Sequence, residues 1–147
     1  MHKILVTIHI WSSILFTFVA LVLCTWIVIG LVFKKDYHKI HNYLEVTYIA
    51  LLYLGLFLGF ILYFIVDPVA DLSKIPIQEL VNRQNSKFWA IEHFSVMLFT
   101  LLIVQIGKYF TSKALNSRDK FKYALFYYGS ATSIIMISMF FYMLSKI

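Results

Sequence analysis

ILVTIHIWSSILFTFVALVLCTWIVIGLVF, from Ile4 to Phe33, runs the length of a bilayer crossing without one charged side chain. A helix of about 20 apolar residues spans the hydrocarbon core, and this stretch is apolar around its whole circumference rather than along one stripe. Three further stretches read the same way: Tyr43 to Val66, Phe88 to Phe110 and Phe121 to Leu144. A β-barrel would need alternating strands and many turns, and neither pattern is present. Helices are then the way to satisfy the backbone in lipid. The expected fold is all-α, an integral membrane four-helix bundle of up-down topology, in one domain covering residues 1–147.

Composition agrees with that reading. Of 147 residues, 61% are hydrophobic and 14% charged, and mean hydropathy is +0.82, too apolar for a single soluble core. Lys3 ahead of the first stretch imitates a signal peptide, but the apolar run is far longer than a signal core and no small-x-small cleavage site follows, so the segment is expected to stay. Cys24 is the single cysteine, which excludes an internal disulfide framework, and it reads as a small buried apolar residue.

Charge sets the expected orientation. Lys34, Lys35 and Lys39 stand against Asp36 in one connection, and Lys108, Lys113, Arg118, Lys120 and Lys122 against Asp119 in another. Both should face the cytoplasm. The connection from Asp67 to Lys87 is balanced and should face outward with both termini. Within it, Ser73 is expected to cap a short interfacial helix through Ile77, Leu80 and Val81, and Asn82 to Ser86 reads as a polar loop. The net charge of +6 is thus mostly topological, with no basic stripe on a soluble surface to suggest nucleic acid.

The histidines carry the functional signal. His2, His38 and His41 lie at the terminus or beside the basic loop, where solvated side chains are expected. His9 and His93 lie inside apolar helices, each about five residues from its span's outer end, or about 7 Å deep at 1.5 Å per residue. Alternate helices of an up-down bundle sit diagonally across the core, so two imidazoles at one depth can ligate one haem iron. The other ring nitrogens would need acceptors, for which Ser12, Ser13 and Glu92 are near in sequence. Interhelical hydrogen bonding is the alternative role. Gly55 and Gly59 form a GxxxG pattern that either packs a neighbouring helix or leaves a notch for a ring. Phe16, Phe57 and Phe94 either line a macrocycle or fill the core. Tyr37, Tyr43, Trp89, Tyr109, Tyr127 and Tyr142 cluster toward span ends as an interfacial belt would. Glu45 and Glu92 read as carboxylates at the membrane edge.

The order of these features resembles that of small bacterial four-helix membrane proteins labelled cytochrome B. It comprises the early His9, the segment Gly55 to Phe64 closing the second span, and Phe88-Trp89-Ala90-Ile91-Glu92-His93 with Met97 opening the third. The resemblance implies haem b, with His9 and His93 as iron ligands, in the bacterial inner (cytoplasmic) membrane. It also implies a histidine in the second span, where this chain has Tyr53. The expected role is one-electron transfer through a single bis-histidine haem near the outer face, with no catalytic residue assigned. The expected exchange partner is a quinol, an outer-face redox protein or a larger membrane complex. Two alternatives stand beside it: a non-catalytic accessory subunit, and an enzyme distantly like the four-helix protoporphyrinogen oxidases. The segment after His9 lacks the glycine-containing tryptophan motif of the latter. Methionine and histidine do not cluster at copper-site spacing.

Overall fold

A computed structural model describes residues 2–62 and 77–144, with side chains for 3–62 and 90–144. The described residues form four helices: α1 (His2–Val32), α2 (Lys39–Ile61), α3 (Ile77–Lys113) and α4 (Ser117–Leu144). Each contains a segment long and apolar enough to cross a membrane, with mean hydropathy from 2.7 in α1 to 1.5 in α4. At most 28% of any such window is buried by the rest of the protein, so most of each apolar helix faces outward. Trp11, Phe18, Phe57, Leu102 and Phe126 are all more than half exposed. In water this surface would aggregate, whereas in lipid it is the solvent-facing side of a multi-pass protein.

The helices form a closed ring in which α1 packs on α2 and α4, and α3 packs on the same two, leaving α1 diagonal to α3. The core follows the ring's centre through Leu23, Ile27, Leu52, Val104, Ala124 and Ala131. Midway along it, the Tyr48 hydroxyl and Thr132 Oγ1 are 3.1 Å apart and Cys24 Sγ donates to the same Thr132 at 3.7 Å. Cys24 is therefore half-buried and hydrogen-bonded rather than a purely apolar filler. One polar cluster ties α1, α2 and α4 together where lipid offers no competing partner.

Local chemistry explains the helix ends. Lys34 takes a left-handed φ of 51° after α1, and the Lys35 N–H reaches back to the Gly30 carbonyl at 3.0 Å, closing a Schellman-type cap without glycine. His38 N–H donates to His41 Nδ1 at 3.0 Å, so a histidine three residues on fills the capping-box role and starts α2 at Lys39, ahead of the expected Tyr43. Asn116 Oδ1 accepts the Asp119 N–H at 2.8 Å while its Nδ2 donates to Asp119 Oδ2 at 2.7 Å, starting α4 at Ser117 rather than Phe121. α3 extends to Lys113, past the expected Phe110.

The polar stretch Asn82 to Ser86, expected as a loop, lies inside α3. It contains no glycine or proline, and Arg83, Gln84 and Lys87 are good helix formers, so polarity alone does not end the helix. Ile77, Leu80 and Val81 belong to that same long helix rather than to a separate one. Ser73, and the stretch of the second span past residue 62, lie outside the described residues.

Candidate functional site: a histidine-lined cavity between diagonal helices

His9 on α1 and His93 on α3 line one cavity of about 590 Å³. Gly55 from α2, Met97 from α3, and Ile135 and Met139 from α4 complete its walls, so all four helices contribute. Its volume lies within the range of cofactor and ligand sites, roughly 300–1,000 Å³, and its lining is mainly apolar.

Backbone satisfaction near His9 is complete, but ring satisfaction is not. Ser12 Oγ and Ser13 Oγ both donate to the His9 carbonyl at 2.8 Å, the usual way a hydroxyl is accommodated in an apolar helix. Neither serine accepts from the ring, and Glu92 is exposed on α3. His9 Nδ1 is buried without a hydrogen-bond partner among the described residues. A buried imidazole nitrogen left in this way costs about 1–3 kcal/mol unless a bound group or water takes it up.

The glycines behave differently from a packing motif. A Cβ added at Gly55 would meet Met97 Cε at 3.9 Å, and one at Gly59 would meet His9 Cε1 at 3.8 Å, both ordinary van der Waals contacts. Among the described residues, no helix backbone lies within 4 Å of a Cβ at either position. Gly59 lies against the His9 ring and Gly55 lines the cavity, so both belong to the histidine site. Of the three phenylalanines considered for it, Phe16 lines the cavity and packs tilted against Tyr48 at a centroid distance of 4.8 Å. Phe57 is 60% exposed, and Phe94 packs toward Phe60. Tyr53, where the resemblance implies a histidine, is half exposed and its hydroxyl accepts from Gln105 Nε2 at 2.9 Å. It is not part of the cavity lining.

The opposite end holds a second polar assembly. His41, expected to be solvated, is 2% exposed, with its ring edge-on to Trp26 and Phe121 and tilted against Tyr37. Glu45, expected at the membrane edge, is 1% exposed. Its Oε2 accepts from Lys108 Nζ at 2.8 Å and Thr111 Oγ1 at 3.3 Å, and its Oε1 accepts from the Tyr37 hydroxyl. Lys108 also donates to Asn42. Burial, and then the Glu45 charge, push the Tyr37 phenol well above its ordinary value of 10.0, so it stays a donor. Tyr37 is thus a half-buried partner of Glu45 rather than a lipid-belt residue. Its backbone N–H donates to Ser117 Oγ at 3.0 Å, which brings the two basic loops together.

Sequence signals for this assembly existed only singly. Glu45 reads as a membrane-edge carboxylate and Lys108 as a loop charge, and nothing local pairs the two.

A bis-histidine haem needs two imidazoles and a wide apolar slot. No cluster of three or more His, Cys, Asp or Glu occurs among the described residues, so a metal held by that many side chains has no site there. The histidine pair, the cavity and the orphaned Nδ1 fit a group that brings most of its own ligands. No protein-family model, curated protein or solved structure matches the chain.

Proposed function

We propose that the protein is a membrane b-type cytochrome that carries single electrons through one haem b held by His9 and His93. The observation that carries this reading is one cavity of about 590 Å³ with an imidazole entering from each of two diagonal helices. When bound, the haem supplies a ferric–ferrous couple. The protein's part is to hold and insulate it. His9 and His93 would hold the haem, and with two imidazoles as its protein ligands the chemistry it would supply is electron transfer rather than oxygen chemistry. Met97, Ile135 and Met139 would give the slot an apolar lining, and His9 Nδ1, buried without a partner among the described residues, is a nitrogen that a bound group would satisfy.

In the same reading the bundle is up-down in the bacterial inner membrane, with the basic loops cytoplasmic and both termini and the histidine cavity toward the periplasmic side. One haem near one face does not connect the two sides of the bilayer. A quinol on the outer side would give up two electrons, one at a time, releasing two protons, and a redox partner or larger membrane complex would accept each electron in turn. The deciding measurement is the reduced-minus-oxidised absorption spectrum of the purified protein. Sharp b-type bands are expected, lost in both His9→Ala and His93→Ala while circular dichroism shows the helices retained. A folded, colourless wild-type protein overturns the reading.

A further inference from the structure

The end of the bundle where the basic loops meet contains a separate cavity of about 310 Å³. Lys39, Lys108 and Lys120 line it, together with His38, Asn42 and Ser112, and Glu45 lies in its wall. The carboxylate does not cancel this charge. Both its oxygens are already taken, Oε1 by Tyr37 and Oε2 by Lys108 and Thr111, so it is matched to Lys108 alone among the lysines.

The other two ammonium groups are uncommitted. Among the described residues, Lys39 makes no ion pair, and Lys120 Nζ sits 5.6 Å above the Tyr37 ring with no carboxylate partner. Lys122, by contrast, is paired with Asp119 at 3.6 Å and lies outside the cavity. Two unpaired lysines, an imidazole, an amide and a hydroxyl converge on one concavity. The cavity also opens at the first turn of α2, whose helix dipole adds to the positive potential.

We propose that this cavity binds a phosphate-bearing anion at the membrane–water boundary, with Lys39 and Lys120 as its charge partners and the Asn42 amide as a neutral donor. Charge-assisted bonds from ammonium groups to phosphate oxygens are the strong ones available here. A basic pocket at the ends of membrane helices is suited to a phospholipid headgroup, and a free phosphate offers the same chemistry. Occupancy would clamp α2 to α4 through Lys39 and Lys120, beside the link that Glu45 and Lys108 make between α2 and α3. The site is independent of the histidine cavity.

The test is thermal unfolding of the full chain in a neutral detergent, titrated in one arm with phosphatidylglycerol and in the other with inorganic phosphate against chloride at equal ionic strength. Ligand binding to the folded state raises Tm. The half-saturating concentration should rise roughly 30-fold in Lys39→Gln/Lys120→Gln, at about five- to six-fold per lysine. It should stay near the wild-type value in Lys113→Gln/Lys122→Gln, which removes the same charge outside the cavity, and in the charge-keeping Lys39→Arg/Lys120→Arg. A response to phosphatidylglycerol alone assigns a headgroup, and a response to inorganic phosphate shows that the phosphate group suffices. Absence of a response in both arms, or equal weakening in the outside-charge variant, overturns the proposal.

Discussion

At the end where the basic loops meet, a methyl group added to Gly107 would lie 2.4 Å from Tyr127 Cβ, and one added to Gly30 would lie 2.3 Å from the Phe121 ring. At the other end, the same addition at Gly59 would touch His9 at 3.8 Å. The first end is closed by backbone-to-ring contact and by a buried Glu45 with three donors. The second is held open around a cavity, with an imidazole nitrogen left unpartnered. One end is locked by tight contacts and a buried ion pair beside a small polar cavity, and the other keeps the larger, mainly apolar cavity. A four-helix ring can carry both because its helices contact neighbours along their length, so tight packing in one half supports a gap in the other.

The sharpest way to break the comparison is to remove Lys108. Lys108→Met leaves Glu45 buried with only hydroxyl donors and should destabilise the protein by about 3–5 kcal/mol, measured by unfolding in detergent. Glu45→Gln/Lys108→Met should recover much of that loss. If Lys108→Met alone unfolds no more readily than wild type, the basic end does not secure the fold.

Gly107→Ala comes next, at about 2 kcal/mol, because the contacted atom is Tyr127 Cβ, which no rotamer change moves away. Tyr37→Phe should cost about 1.5 kcal/mol through the lost bond to a charged acceptor. The same variant tests pH dependence. The folded-state phenol titrates above its ordinary 10.0, so its contribution is fully present below that pH and is lost as pH rises toward the folded value. The fall in Tm between about pH 10 and 11.5 should therefore be shallower in Tyr37→Phe than in wild type, given the ordinary phenol value near 10.

Gly59→Ala should be the smallest effect, within about 0.5 kcal/mol of wild type or slightly stabilising, because the added methyl has room and alanine favours helix. A large loss there would mean that the cavity end is as tightly packed as the other.

Much of this was legible along the chain. The four apolar runs became four helices because run length and composition are local properties. His9 and His93 share a cavity because similar depth on alternate helices is also readable from spacing. The burial of His41 and Glu45 was not legible. Each lies beside a charged loop, and only the arrival of Trp26, Phe121 and Lys108 from distant segments removes it from solvent. The GxxxG pattern left two readings open, packing or a notch, and chain-local information could not show that the tight helix contacts fall instead at the isolated Gly30 and Gly107.

The sequence by itself determined that four helices form, that their outer surfaces suit lipid, and which two histidines lie inside apolar segments. Those are consequences of hydropathy and helical rise, which depend on neighbours in the chain. Tertiary structure alone decided which end is closed and which open, that Glu45 is paired with Lys108, and that Lys39 and Lys120 share a cavity. These depend on side chains more than 60 residues apart meeting across helix interfaces, as Lys108 meets Glu45 at a separation of 63. No local pattern encodes such a meeting, because it is set by how whole helices rotate and pack against one another.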